Sequence, residues 1–297
     1  MSRPRQIVPG TTYFLTRRCA FRTFFLRPSR ETNLAFLYVL ATAAQRFSIQ
    51  IHAFCVMSNH WHCVLTDPEG QAPLFMEFVH MFVAKIVNTA LGRSENVWSS
   101  EAPSLIALQS RADILAKVCY TLANPVAAGL VAQGRDWPGL RIGADHLEVP
   151  LVVKRPRVFF RENGHMPGES SLVLSVPPGW PDLDQYKADV VRGVTWAEEQ
   201  GRMAQRVKGH GFLGRRKVLR QSPRDTPTTW CRRFGLKPKV VAKSRRLRRE
   251  TIHRMKEFLD AYRAALLRWK QGARDVVFPF GTYALRVRAG VICAGPD

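Results

Sequence analysis

The chain has 297 residues, 46% of them hydrophobic, which is enough for one large domain or two ordinary ones and excludes global disorder. Its formal net charge of +22 points to a polyanionic partner, nucleic acid foremost. No apolar run approaches a membrane span, MSRPRQIVPG lacks the apolar segment of a secretory signal, and Cys19, Cys55, Cys63, Cys119, Cys231 and Cys293 form no CxxC pair, so the reading is a cytoplasmic protein with reduced thiols.

The charge is unevenly spread. Residues 1–148 carry 14 Lys+Arg against 10 Asp+Glu, and residues 149–297 carry 31 against 13. The expected organisation is a near-neutral folded unit over 1–148 and a basic region over 149–297 that serves as an electrostatic handle for nucleic acid. The bland alternative is a basic protein that is merely soluble.

TTYFLTRR (11–18) is β-branched and aromatic and reads as a strand. Pro28-Ser29 opens a buried helix through 33–47. IQIHAFCVM (49–57) and HWHCVLT (60–66) alternate across the two-residue turn Ser58-Asn59, which predicts a hairpin. A helix follows over 73–92, ending at Gly92, and then a mixed stretch, 97–109, of loop and short strand. RADILAKVCYTLANPV (111–126) is a helix that Pro125 ends or just follows. This order predicts an α+β fold, an antiparallel sheet with helices packed on one face. Beyond residue 150 the pattern loosens into a largely helical and irregular region. Its one strong helix carries Met255, Phe258, Leu259, Tyr262, Leu266 and Trp269 at helical spacing after the basic run KSRRLRRE, and the stretch 276–294 reads as strand with a turn at Gly281.

His60 and His62 lie two apart on the second hairpin strand, so both project from one face while Trp61 points to the other. Two neighbouring imidazoles can hold one metal ion, and two hydrogen-bonded histidines on a polar sheet face are the bland alternative. On the helix 111–126, Asp113, Lys117, Tyr120 and Asn124 form a polar stripe, either an ordinary solvated face or, if the helix packs beside the hairpin, a phenol and a carbonyl ligand next to the same ion. His52 and His80 read as structural. Arg17, Arg18 and Arg22 follow the first strand, where a basic loop suits a DNA hairpin.

MSNHWHCVL, then YTLANPVAAGLV some sixty residues on with WPGL close behind, resembles the single-tyrosine HUH transposases of the insertion-sequence-200-like group, and most of all the REP-associated tyrosine transposases. GTTYFLTRRCAFRTFF is similar to that family's first strand and basic loop, and the resemblance covers roughly residues 5–145. It implies a ferredoxin-like or RRM-like HUH-endonuclease sandwich. It implies Tyr120 as nucleophile and His60, His62 and Asn124 as ligands of Mg²⁺ or Mn²⁺; Arg17, Arg18, Arg22 and Lys117 are candidate DNA contacts read from the residues themselves, with a solvated face the commoner role for Lys117. The implied partner is single-stranded DNA carrying a repeat hairpin, bound by a monomer or homodimer with no membrane involved. Two features depart from the pattern. Ser58 stands where the family commonly has proline, and NVWSSEAPSLIAL replaces the usual glycine-rich basic segment before the tyrosine helix. The implied reaction is metal-assisted cleavage and strand transfer through a 5′-phosphotyrosine. The rivals are a catalytically silent, domesticated DNA-binding protein acting on repeats, and a zinc hydrolase, which needs a further acidic or histidine ligand.

Overall fold

The computed structural model describes residues 4–161, 163–229 and 240–296. Cys231 lies outside them. The first strand, β1 (Thr11–Arg18), is followed by helix α1 (Arg30–Arg46), the hairpin β2 (Gln50–Met57) and β3 (His60–Asp67), and helix α2 (Ala72–Leu91). A short strand β4 (Ser104–Ala107), helix α3 (Arg111–Ala127) and a two-residue strand β5 (Arg141–Ile142) complete a five-stranded antiparallel sheet of order β4-β1-β3-β2-β5.

The helix ends are held by side chains that the sequence places there. Ser29 Oγ accepts the Thr32 amide, 3.1 Å away, at the start of α1. The Asp67 carboxylate, at the end of β3, accepts the amides of Gln71 (2.8 Å) and Ala72 (2.7 Å) that open α2, and Gly92 closes that helix in the left-handed region. Ser110 caps α3, accepting from Asp113 N at 3.2 Å while its hydroxyl donates to the Asp113 carboxylate at 2.6 Å. Pro125 sits inside α3, which runs two residues beyond it. A proline this close to the C-terminus removes one ladder bond without breaking the helix.

The two sheet faces are filled differently. Trp61 is fully buried against Phe36 of α1 and His80 of α2, and it shares its face with Leu15, Cys63 and Leu65. A one-residue slip of β3 would expose Trp61 and bury the histidines on the wrong side, so burial of this indole fixes the register. The opposite face carries His60, His62, Val64 and Thr66 opposite Arg18, Thr16, Phe14 and Thr12 of β1, and it is covered by α3. Helices therefore pack on both faces, not on one, because the apolar side of the sheet alone accommodates α1 and α2. By length and apolar composition α2 is a candidate membrane span, contrary to the expectation above, yet Phe75, Val79 and Val83 seat it in this core.

The main core does not stop at residue 148. A second hairpin, β6 (Leu151–Lys154) and β7 (Glu169–Leu172), lies against α1, with Thr42 Oγ1 2.6 Å from Ser170 Oγ. The long helix α4 (Leu183–Val207) lies along α3, and Leu172, Leu174, Trp180, Tyr186 and Val190 are all buried in the same core. The expected division at 148 thus cuts through packed side chains. A short helix α5 (Arg215–Arg220) and the helix α6 (Arg245–Lys270) follow. Phe258 and Leu259 of α6 are buried, and Tyr262, Leu266 and Trp269 pack with Val276, Phe278 and Val291, so the predicted stripe is a core face. The segment 276–294, read from sequence as strand, holds the isolated bridges Phe278–Cys293 and Gln6–Thr282 and the short helix α7 (Ala284–Ala289) in place of a strand.

Candidate active site

β3 places His60 and His62 side by side beneath α3, their ring centroids 4.8 Å apart. Each ring is oriented through Nδ1. His60 Nδ1–H donates to Asn59 Oδ1 at 2.6 Å, an oxygen that only accepts. His62 Nδ1 lies 2.8 Å from Thr16 Oγ1, its register neighbour on β1. On its other side, the Asn124 Nδ2 amide is 3.4 Å from His62 Nε2, close enough to aim a proton at that nitrogen. Both rings therefore carry their proton on Nδ1 and turn the Nε2 lone pair toward α3. Burial, with the Arg18 charge adding to it, pushes the His60 imidazole down to about 4. Burial, then the charges of His60, Arg18 and Lys117, holds His62 well below the usual histidine range. Both are neutral at pH 7, the form that coordinates metals.

α3 brings its polar stripe onto this face. The Tyr120 ring stands edge-on to His62 with centroids 5.3 Å apart and to Phe14 at 5.8 Å, and the residue is 46% exposed. Asn124, one turn on, is buried beside His62. Lys117 Nζ lies 5.2 Å from the Tyr120 ring centroid and 4.9 Å from that of Phe14, and burial holds this ammonium below the usual lysine range. Asp113 does not belong to a solvated face. It is buried, accepts from the hydroxyl of the cap Ser110, and accepts the Lys243 amide at 2.8 Å, tying the approach to α6 onto the helix.

The arginines separate. Arg18 is exposed beside its register partner His60. Arg17 points to the other face, where its guanidinium lies over Trp98 and donates to the Glu101 carbonyl, so it stands away from the histidine pair. Arg22 donates to the Thr229 carbonyl at 2.6 Å. His52 and His80 are buried and structural. His52 Nδ1–H donates to Ser175 O at 2.8 Å and its Nε2 is 2.8 Å from Thr66 Oγ1, while His80 lies between Trp61 and Trp98. Two residues of the site, Thr16 and Asn59, escaped the sequence reading. Asn59 had a signal, since it directly precedes His60 in the tight turn, whereas Thr16 is identified only by strand register.

The donor set suits a divalent ion. Two neutral imidazoles with their Nδ1 protons held elsewhere and one side-chain amide face a common space, leaving further positions to oxygen ligands. Among the described residues no three His, Cys, Asp or Glu side chains converge, so the donors match a mixed nitrogen–oxygen site rather than the closed tetrahedral set of structural zinc.

No protein-family model matches the chain. Over 134 residues, 45% of this chain and 78% of the relative, it is 28% identical to the REP-associated tyrosine transposase of Escherichia coli strain K12. Among solved structures it is similar to a REP-associated tyrosine transposase bound to a REP hairpin, with TM-score 0.40 and 22% identity over 47% of this chain and 81% of that one. It is also similar to a Deinococcus radiodurans protein described as a transposase, with TM-score 0.29 and 18% identity over 38% and 89%. The fold is α+β, and over those 134 residues the chain is similar to a transposase.

Proposed function

We propose that the protein is a metal-assisted single-strand DNA endonuclease and strand transferase that cuts beside hairpin repeats through a 5′-phosphotyrosine. The observation that carries this reading is the half-exposed Tyr120 ring 5.3 Å from His62, with Asn124 one turn further along the same helix. A phenol has a pKa near 10 and is a weak nucleophile at neutral pH, so the phosphate must be made electrophilic. A bound Mg²⁺ or Mn²⁺ supplies that Lewis acidity. His60 and His62 through Nε2, and Asn124 through its amide oxygen after rotation of the side chain, are the residues to hold it. Tyr120 Oη forms the new bond to phosphorus while the bond from phosphorus to the 3′ oxygen breaks, and the leaving oxygen becomes a 3′-hydroxyl. The phosphodiester energy stays in the covalent link, so a second 3′-hydroxyl reseals the strand without a nucleotide cofactor. Lys117 and Arg18 border the site as phosphate contacts.

The exposed arginines 245, 246, 248 and 249 at the start of α6 join the site through the Lys243–Asp113 contact, and they give the basic half of the chain a route to the flanking backbone. The relative solved with a REP hairpin suggests the same kind of DNA here.

The test is an adduct assay. Single-stranded DNA with a hairpin and a flanking site, plus Mn²⁺ or Mg²⁺, gives a denaturation-resistant protein–DNA adduct on the 5′ side of the break. Tyr120→Phe abolishes the adduct and keeps DNA binding; His60→Ala, His62→Ala or chelation abolishes it; Asn124→Ala weakens it less. An adduct that persists in Tyr120→Phe refutes the assignment. Tyr13 and Tyr38, the tyrosines of the flanking elements, are buried and poorly placed to substitute.

A further inference from the structure

After Arg18 the chain turns back through Cys19–Thr23. Within this turn Phe21 (φ 51°, ψ 18°) and Arg22 (φ 62°) both occupy the left-handed region, which disfavours any residue with a Cβ and a bulky aromatic most of all. Burial of the side chain does not offset the strain at Phe21, which is 92% exposed. Of the three phenylalanines in AFRTFF, Phe24 and Phe25 enter the core and Phe21 alone stays outside.

The turn is nevertheless firmly held. Cys19 N–H donates to Asn59 O at 2.8 Å, Ala20 N–H to Val97 O at 2.8 Å, and Phe24 N–H to Asp225 O at 2.8 Å. The Asn59 side-chain amide donates to Arg22 O at 3.0 Å, while its oxygen accepts from His60 Nδ1 at 2.6 Å. One asparagine therefore joins the strained turn to a proposed metal ligand. Arg18, opposite His60, and Arg22, next to Phe21 in sequence and held on Thr229, make the turn basic. An exposed aromatic ring in a basic turn is the composition of a single-strand site, where the charges take phosphates and the ring takes a base. A base inside a duplex offers no free face.

We propose that Phe21 is a stacking platform for an unpaired base of the DNA strand that enters the Tyr120 site. The inference rests on the proposed single-strand chemistry and adds to it the place where a nucleotide beside the cut is gripped.

The test uses the full chain without metal, so that binding is read apart from cleavage. The probe is a hairpin oligonucleotide with a single-stranded tail carrying 2-aminopurine at successive tail positions. Wild type quenches the fluorophore at one position on binding. Phe21→Ala removes that quench and weakens tailed DNA by about tenfold, as loss of one base–aromatic stack does, and Phe21→Trp restores both. Hairpins with a fully paired tail bind wild type and Phe21→Ala alike. Phe21→Gly, which relieves the backbone strain, melts no lower than wild type and shows the same loss of quench, separating stacking from folding. Unchanged affinity and quench in Phe21→Ala overturn the platform, even where wild type forms its Tyr120 adduct with metal. Loss of quench in Phe21→Ala with no adduct from wild type upholds the platform and refutes the cleavage reading.

Discussion

Thr16→Val tests how His62 is prepared for its proposed role. The substitution keeps the side-chain shape and removes the oxygen 2.8 Å from His62 Nδ1. His62 is buried, so water does not replace that partner. Two effects follow from one lost hydrogen bond. A buried ring N–H without an acceptor costs about 1–3 kcal/mol of folding stability. The proton is also freed to move to Nε2, where it blocks the lone pair that faces Asn124, and loss of such an orienting partner lowers metal affinity roughly 10–100-fold. Isothermal titration of the full chain with Mn²⁺ reads the second effect, and urea unfolding without metal reads the first. Thr16→Ser, which restores the hydroxyl, recovers both. Wild-type Mn²⁺ affinity in a folded Thr16→Val protein would falsify the argument that Nδ1 anchoring sets the tautomer.

The His52 network predicts a pH dependence. Burial pushes this imidazole down to about 4 in the folded chain, against 6.5 unfolded, so the unfolded state binds the extra proton between those values and stability falls as pH falls through that window. From pH 7 to pH 5 the group contributes a loss of about 2 kcal/mol, and His52→Gln, measured by urea melts at both pH values, shows a correspondingly shallower loss; an equally steep one sinks the assignment. Truncation at residue 148 removes Leu172, Trp180, Tyr186 and Val190 from the core, so that fragment is predicted to be insoluble or to melt far below the full chain, whereas a fragment of residues 1–229 keeps a cooperative transition. Equal melting of the two fragments would show that the second hairpin and α4 are dispensable.

The parts legible in sequence are those governed by local periodicity. β1, the β2–β3 hairpin and α3 follow from alternation, turn chemistry and a 3.6-residue repeat, and the same rules place His60 and His62 on one face and align Tyr120 with Asn124. The opposite directions of Arg17 and Arg18 were available from the same alternation. What escaped depends on contacts distant in sequence. Thr16 meets His62 through strand register, and β5 is only two residues long. α4 was missed because it is largely polar and contains Gly193 and Gly201, which weaken a helix pattern. Those glycines are explained by packing. A Cβ at Gly201 would lie 3.2 Å from the Ala127 backbone, and one at Gly193 would collide with Cys119 Sγ.

That close helix pairing bears on which part of a reaction can move. α3 has the sheet beneath it and α4 pressed against its outer side, and Leu108–Ser110, its connection to β4, spans only about 10 Å when fully extended. A nucleophile on such a helix is an anvil rather than an arm. In the proposed reaction a 5′ end joined to Tyr120 would stay where it was made, and exchange of partners would fall to the free 3′ end. The travelling component of the proposed strand transfer would then be the DNA itself, refolding over a fixed protein surface.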